Sequence, residues 1–338
     1  MGVVGVGGLG FHHARILRDL PAVRFGGCFD SRAERSAAVA AELGITAHDS
    51  LDALLAQVDA VTIAVPTPAH FDVAGRVIAL GKHVLIEKPI TTTVAEADEL
   101  LAMARKNGVV VQIGHVERFN AAIRAALPHI EEPRFIQSER LAPFNPRGSD
   151  VAVVLDLMIH DIDLILTLAV GEAQSIAAVG VPVLTPTVDI ANARITFASG
   201  AVANITASRI SRERVRKIRI FQKTGYLSLD LAAGNGEFFR LNKNLPLEKL
   251  AAGPLDFSQF VERVGLTAPE GEPLRLEFES FARALTGEAP PVVTGEDGRR
   301  ALDVALKIVR EIERTLPQLT GSVEGGLGRS RPETATLG

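Results

Sequence analysis

The sequence has a single cysteine, Cys28, in a chain of 338 residues. One thiol cannot form an internal disulfide, and it cannot build a multi-cysteine zinc or iron–sulfur site. An excess of charge is also lacking, since 36 lysines and arginines stand against 40 aspartates and glutamates, a net charge of −4. This balance gives no reason to expect binding to nucleic acid or to an anionic membrane surface.

A long hydrophobic run free of charge is absent as well. The most apolar stretch, residues 151–170, contains four ionisable side chains: Asp156, His160, Asp161 and Asp163. Four such groups at membrane depth would cost on the order of several kcal/mol, so we predict a buried helix here. No basic residue precedes Arg15, so we also expect no charged secretory leader. Together with the lone thiol, this predicts a cytoplasmic protein.

The first third of the sequence alternates short apolar runs with helical patterns. The runs cover residues 3–6, 23–29, 60–65, 83–86 and 109–113, and the helical patterns cover 9–20, 31–43, 69–80 and 94–106. A capping box at 93–96 and glycines at 44, 81 and 108 mark helix boundaries. Buried strands separated by helices predict a doubly wound parallel sheet, a Rossmann domain over residues 1–116.

After residue 116 the pattern changes. A long helix is predicted at 150–170, followed by β-rich segments at 175–183, 189–197, 201–208, 215–222 and 226–231. Turns such as residues 198–200 favour antiparallel hairpins. We predict an α+β domain over 117–318, with a last helix that begins at 294–297 and ends near Thr315, and a disordered tail at 319–338.

A glycine-rich turn, G-V-G-G-L-G at residues 5–10, opens the first helix directly after the first apolar run. Its glycines permit a tight turn, close approach of a pyrophosphate and close packing of helix on strand. Asp30 ends the second strand, where its carboxylate could accept hydrogen bonds from a ribose and repel a 2′-phosphate, although Arg32 could offset that repulsion. An ordinary turn with a chance aspartate is the alternative. We predict NAD as the cofactor, contacted by Gly5, Gly7, Gly8, Leu9, Gly10, Asp30 and Arg32.

Candidate catalytic residues come from two places. Lys88 lies in Glu87-Lys88-Pro89 at the end of an apolar run, where ligands bind in open α/β sheets, although a surface lysine is an equal alternative. Asp156 and His160 are four residues apart and would share a helix face. Two alternative interpretations of this pair are a buried polar cluster and a metal site. We favour a histidine general base that the carboxylate orients, and we expect no metal.

The sequence resembles the Gfo/Idh/MocA oxidoreductases over about residues 1–315. Four features together carry this resemblance: the glycine turn, Ala64-Val65-Pro66-Thr67 with His70, Glu87-Lys88-Pro89, and the Asp156/His160 pair. The resemblance implies a Rossmann domain followed by a domain with a large, mostly antiparallel open sheet, which often forms an oligomer interface. A homodimer or homotetramer is then expected. Lys88, Asp156 and His160 become the implied catalytic residues. The further implied cofactor contacts are Pro66, Thr67, His70, Glu87 and Lys88.

Residues 114–120, G-H-V-E-R-F-N, resemble one branch of this family, although Ala121 stands where that branch often has proline. The branch oxidises the 3-hydroxyl of UDP-N-acetylglucosamine to a 3-keto nucleotide sugar, which an aminotransferase then converts for lipid A or related glycans. Glu117, Arg118 and Asn120 are accordingly predicted to bind substrate. A structural role where the chain crosses between domains is an equal alternative.

Six basic residues fall within eleven positions: Arg209, Arg212, Arg214, Arg216, Lys217 and Arg219. The alternating arginines at 212, 214 and 216 would share one face of a strand, and guanidinium groups suit a diphosphate. We predict Arg209 and Arg212 as substrate contacts, with a solvated sheet face or a dimer contact as the alternative. Other sugar, inositol or UDP-sugar-acid dehydrogenases, and an NAD-bound sensor without turnover, remain rival functions.

Overall fold

The computed structural model describes residues 1–145, 151–169, 171–242 and 261–320. Its strands form two sheets, one of five strands and one of eight. Both ends of the helix predicted at 150–170, and the predicted tail from residue 321 onwards, lie outside the described residues. Residues 319 and 320 belong to the last helix.

The five-stranded sheet consists of the apolar runs of the first third. Its strands are β1 Gly2–Val4, β2 Cys28–Phe29, β3 Ala60–Ile63, β4 His83–Glu87 and β5 Val111–Gly114. They are all parallel, in the order β2-β1-β3-β4-β5. Successive strands are added on one side of β1 and then, from β3 onwards, on its other side. In parallel sheets such a change between neighbouring strands leaves a crevice at their carboxyl ends. The predicted Rossmann architecture is confirmed.

The helices of this unit begin and end where the sequence marks them. They are α1 Gly8–Arg18, α2 Ala33–Leu43, α3 Leu51–Leu55, α4 His70–Ala79 and α5 Val94–Asn107. Thr93 and Glu96 form the predicted capping box, and α2 and α5 end at glycines with φ of 65° and 63°. The short α3 was not predicted, because its five residues are too few to show a helical period.

The eight-stranded sheet occupies the second half of the chain. Its strands are β6 Phe135–Leu141, β7 Ala173–Val181, β8 Ile190–Phe197, β9 Val202–Ser208, β10 Val215–Gln222, β11 Gly225–Asp230, β12 Asn235–Leu241 and β13 Val261–Leu266. The order is β13-β12-β11-β10-β6-β9-β8-β7, and only the β6–β9 pair is parallel. The expected open, mostly antiparallel sheet is confirmed, and β6, β12 and β13 are additions to the prediction.

The predicted long helix is interrupted at the candidate site. Residues Val154–Met158 form a π-helical turn, and a regular helix, α7 Ile159–Leu168, begins directly after it. Asp156 lies in the wider turn and His160 in the regular helix. The four-residue spacing therefore does not bring their side chains together as it would in a continuous α-helix.

The last helices connect the two units. They are α8 Pro273–Leu285 and α9 Gly295–Thr320, and α6 Ala121–Ala126 follows the crossing from the first sheet. Phe278 and Phe281 of α8 are fully buried in the same apolar cluster as Val3 and Leu17 of the first unit. Asp297 and Thr294 exchange hydrogen bonds at the predicted start of α9. The chain thus returns to the first sheet after completing the second.

Candidate active site

The glycine turn that follows β1 has no room for side chains on its inner side. Gly5 has φ of 84°, and a Cβ on Gly10 would lie 1.8 Å from the Gly5 carbonyl oxygen. Gly7 differs, because a Cβ there would meet nothing within 4 Å and because no side chain caps the helix that it precedes. Gly8 and the exposed Leu9 form the first turn of α1. The open N-terminus of α1 can therefore receive a pyrophosphate.

Asp30 lies directly after β2 and beside the glycine turn. Its Oδ2 accepts a hydrogen bond of 2.9 Å from Val6 N, and its Oδ1 accepts one of 3.0 Å from Arg32 N. These bonds hold the carboxylate in place, while a carboxylate has about four acceptor positions in total. Acceptor positions remain for ribose hydroxyls. The Arg32 side chain is largely exposed and lies 3.5 Å from Asp30.

Arg35, on α2, also contacts the glycine turn and was not predicted. Its Nε donates a hydrogen bond of 2.7 Å to the Val6 carbonyl oxygen, and its Nη2 lies 3.5 Å from that of Gly7. Nothing in the sequence indicates that Arg35 contacts the glycine turn. Its contact arises from the packing of α2 against the turn.

The loop after β3 contains Pro66, Thr67 and His70. Pro66 is exposed and Thr67 half-buried at the carboxyl edge of the sheet. His70 is instead 1% exposed, with Nδ1 2.8 Å from the Pro89 carbonyl oxygen and Nε2 3.0 Å from that of Val65. The structure therefore does not bear out His70 as a direct cofactor contact, since both ring nitrogens join two neighbouring loops.

Lys88 follows β4 at the same carboxyl edge, and its bond to Pro89 is cis. Its Nζ donates a hydrogen bond of 2.6 Å to the Asp156 backbone carbonyl and lies 3.7 Å from Asp156 Oδ1. Burial lowers the pKa of the Lys88 ammonium, while the Asp156 carboxylate partly opposes that change. Lys88 thus presents a partly buried cation at the crevice.

Glu87, the last residue of β4, does not face the crevice with Lys88. Its Oε1 lies 3.0 Å from Nε2 of the buried His13, and its carboxyl group packs against Gly114. Burial raises the pKa of Glu87, but His13 and Lys88 more than offset this effect, so the pKa is lowered. This internal contact with His13 favours a structural role for the carboxylate over the predicted cofactor contact.

His160 is half-buried at the start of α7. Its pKa lies well below the ordinary value because of burial first and then the positive charges of Lys88 and Arg140. The ring is therefore neutral near pH 7, the form that a general base requires. Within the described residues Nδ1 is buried with no hydrogen-bond partner. The predicted orientation by Asp156 is not borne out, because Asp156 contacts Lys88 instead.

The charged side chains of residues 117–120 lie in a buried network. Arg118 donates two hydrogen bonds, of 2.6 and 2.7 Å, to the Asp163 carboxylate. Asn120 Nδ2 donates to Glu117 Oε2 and to the Leu231 carbonyl oxygen. These donors are used internally, so the structure favours the structural alternative for Arg118 and Asn120 over the predicted binding of substrate.

Arg140, on β6, extends this network and was not predicted. It donates to Asp161 at 2.6 Å and to Glu117 Oε1 at 2.9 Å. The three side chains are each less than 9% exposed. Glu117 is thus a buried partner for arginines. These contacts favour a structural role for Glu117 over the predicted direct contact with substrate.

Arg209 is likewise enclosed. Its Nε donates a hydrogen bond of 2.8 Å to Asp189 Oδ1, and its Nη1 donates one of 2.6 Å to the Val151 carbonyl oxygen. Its Nη2 donates hydrogen bonds to the hydroxyls of Thr185 and Thr187. Its donors are thus used inside the protein, which favours a structural role for Arg209 over the predicted contact with a diphosphate.

The rest of the basic cluster divides between two faces. Arg212 and Arg214 are exposed and precede β10, so the predicted common face of three arginines does not form. Lys217 and Arg219 are exposed on the outer face. Arg216 lies on the inner face, where its Nη1 is 3.4 Å from Glu117 Oε1. Its side chain is 42% exposed, and its charge contributes to the low pKa of His160.

Two kinds of feature are absent from the described ranges. No group of three or more histidine, cysteine, aspartate or glutamate side chains is placed to hold a metal ion there. No helix in these ranges combines the length and the apolar character needed to cross a membrane.

Two family models match the chain. Residues 1–115 match "Oxidoreductase family, NAD-binding Rossmann fold", and residues 111–228 match "GFO/IDH/MocA C-terminal domain". The two matches meet where the chain leaves the first sheet.

Individual proteins agree with the family models. UDP-N-acetylglucosamine 3-dehydrogenase of Acidithiobacillus ferrooxidans is 41% identical over 316 residues, which cover 93% of this chain and 97% of that protein. A crystal form of that enzyme superposes with a TM-score of 0.86 over 93% of this chain and 97% of its own. An NAD(+)-dependent scyllo-inositol 2-dehydrogenase of Bacillus subtilis is 29% identical over 62% of this chain and 67% of that protein.

Proposed function

The chain belongs to the Gfo/Idh/MocA oxidoreductase family, and from this premise we propose that it oxidises the 3-hydroxyl of UDP-N-acetylglucosamine with NAD, giving the 3-keto nucleotide sugar. The observation that carries the chemistry is that the Lys88 ammonium, directly after β4, lies close enough to His160 to help keep its ring neutral. The nearly full-length similarity to the Acidithiobacillus enzyme supports the choice of substrate.

The residues of the glycine turn fit NAD. The space in front of Gly7 leaves the N-terminal N–H groups of α1 free for a pyrophosphate, and the contact of Gly10 with Gly5 excludes any larger residue. Asp30 favours two ribose hydroxyls over a 2′-phosphate, because its carboxylate repels a second anion. Held by the glycine turn and Asp30, NAD would supply the acceptor for the hydride that leaves the carbinol carbon of the sugar. A comparable kcat/KM with NADP would contradict this preference.

Two side chains act on the reacting alcohol. We assign Nε2 of His160 as the acceptor of the hydroxyl proton, because a neutral imidazole has a free lone pair. Lys88 stabilises the negative charge that grows on the same oxygen as the O–H bond breaks. Asp156 acts through Lys88, whose ammonium it holds with its backbone carbonyl and its carboxylate.

Arg216 is the member of the basic cluster that we assign to the substrate. It has one long contact with Glu117, so most of its five N–H donors have no partner in the described part of the chain. A guanidinium with free donors can bind two oxygens of a phosphate group at once. Its position on the inner face supports a contact with the diphosphate of the nucleotide sugar.

The remaining proposals concern organisation. We propose residues 1–116 as the NAD-binding domain and 117–318 as the substrate domain, with α8 returning to the first core. We further propose a homodimer or homotetramer through the open sheet, a cytoplasmic location, and an aminotransferase that consumes the 3-keto product.

The test is NADH formation, followed by absorbance, when the protein and NAD are mixed with separate sugars. The panel contains UDP-N-acetylglucosamine, its uronic acid relative, free N-acetylglucosamine and myo-inositol. We expect NADH with the first and little with the uncharged compounds. Turnover of an inositol or a free sugar in preference would overturn the proposal. NAD binding without any turnover would indicate a sensor.

A further inference from the structure

A second imidazole, that of His115, lies behind His160. His115 directly follows β5 and is 1% exposed. Its ring centroid is 6.3 Å from that of His160, and the two rings are nearly perpendicular, at 88°. The motif at residues 114–120 contains His115, and the proposed mechanism gives it no role.

Three ring nitrogens of this pair lack partners in the described residues. Both ring nitrogens of His115 and Nδ1 of His160 are buried without a hydrogen bond. His160 as a whole is only half-buried, whereas its Nδ1 is buried. Buried polar groups without partners are costly, so an arrangement that satisfies them is strongly favoured.

We propose that His115 is the positioning residue for the base. One water molecule between the rings accepts a hydrogen bond from Nδ1–H of His160 and donates one to a lone pair of His115. A polar contact at this separation is suited to a water bridge. The proton is thereby held on Nδ1, and Nε2 is left unprotonated toward the substrate hydroxyl. This inference rests on the proposed role of His160 as the base.

The charges around His115 leave its lone pair available. The groups that act on it from the packed elements are, besides His160, Asp163, Arg118, Lys88 and Glu87. Arg118 and Asp163 bond to each other. Burial is the main cause that lowers the pKa of His115, so its ring is neutral near pH 7 and can accept a hydrogen bond. Asp156 has a different neighbour, since its Oδ1 lies 3.7 Å from Nζ of Lys88.

The first test reads the tautomer directly and needs no substrate. Long-range proton–nitrogen NMR spectra of the ¹⁵N-histidine-labelled protein report which ring nitrogen carries the proton. The His160→Asn variant identifies the His160 signals. We expect the Nδ1–H form in the full-length protein near pH 7. The Nε2–H form would overturn the proposal, whatever the substrate is.

The second test separates hydrogen bonding from packing. His115→Phe keeps a flat ring but removes its nitrogens, whereas His115→Gln keeps a polar group of similar reach. We expect the Phe variant to lose about 10-fold or more in kcat, with unchanged NAD affinity and with the low apparent pKa of the base retained. The Gln variant should recover most of the loss. Ser138→Ala, which removes another buried unpartnered oxygen, is the control and should leave kcat unchanged.

The possible results lead to different conclusions. Equal loss in the Phe and Gln variants, or wild-type kcat in the Phe variant, would overturn the positioning role. If the Phe variant does not fold, the kcat of the Gln variant and the tautomer of His160 in the wild-type protein test the proposal. Should His160→Asn keep its turnover, the assignment of the base fails instead, independently of His115.

Discussion

Two regions of buried polar side chains differ in how completely they are paired. Around Arg118, Arg140 and Arg209, each guanidinium donates to a carboxylate at 2.6–2.8 Å. Near the carboxyl edge of the first sheet, buried polar atoms lack partners in the described part of the chain, and these belong to His115, His160 and Glu277. The first region resembles a structural ion-pair network, whereas the second has hydrogen-bonding capacity left over.

This difference separates residues that the sequence could not separate. Arg209 and Arg216 both belong to the basic cluster, yet the first is 4% and the second 42% exposed at the side chain. Pairing inside the protein therefore distinguishes arginines that hold the fold from an arginine that can hold a ligand. Glu87 is likewise held inside the protein, by its contact with His13.

The largest effect should come from breaking a paired arginine. Arg209→Met leaves the fully buried Asp189 without its cation, which should destabilise the fold by about 3–5 kcal/mol. Urea unfolding followed by circular dichroism is the measurement, since the chain has no tryptophan. The exposed Arg212→Met is the control and should change stability by less than about 0.5 kcal/mol. If the Arg209 variant had normal stability but bound substrate more weakly, Arg209 would be assigned to substrate binding instead.

Removing the cation at the carboxyl edge of the first sheet should instead affect turnover. Lys88→Ala should lower kcat on the order of 100-fold or more, because charge on the reacting oxygen loses its stabilisation. NAD affinity, measured by calorimetry, should stay unchanged. Lys106→Ala, at the exposed end of α5, is the matched control. Near-normal kcat in the Lys88 variant would invalidate its assigned role.

A smaller effect is expected for Arg216→Ala. Loss of a charge-assisted contact with the diphosphate should raise KM for the nucleotide sugar about 10-fold, with little change in stability. Arg219→Ala removes the same charge from the outer face of β10 and should leave KM unchanged. Equal effects of the two substitutions would mean that Arg216 acts only through long-range charge.

The smallest effect concerns Glu277, which is 0% exposed on α8. Burial, and then the nearby Glu87 and Asp163, raise its pKa well above the ordinary value. The folded protein therefore binds a proton that the unfolded chain releases, so stability falls as pH rises above the unfolded pKa. Glu277→Gln should remove this loss, with little gain at pH 5 and about 1 kcal/mol or more at pH 8. If the free energies of unfolding of variant and wild type changed with pH in parallel, the raised pKa of Glu277 would be contradicted.

Local patterns predicted much of the fold and part of the site. The glycine turn, Asp30 and the capping box depend on residues within one or two elements, so their spacing already determines their geometry. Lys88 could be found because the end of a parallel strand fixes its place at the ligand-binding edge. His160 was found because an ionisable group stood out in an apolar helix.

What could not be predicted depends on contacts between distant segments. Arg140 and Asp161 are 21 positions apart, and Arg118 and Asp163 are 45 apart. No sequence spacing indicates such pairs, so their arginines could not be distinguished from ligand-binding ones. The expected Asp156–His160 contact failed for a different reason, because the π-helical turn changed the geometry that four-residue spacing implies.

The return of α8 to the first sheet makes the amino-terminal unit dependent on the end of the chain. A fragment of residues 1–116 would lack Phe278 and Phe281, and the apolar surface that they cover on Val3 and Leu17 would meet water. Such a fragment should aggregate when it is expressed alone. A chimaeric protein that takes its cofactor-binding domain from a relative therefore needs α8 from the same relative.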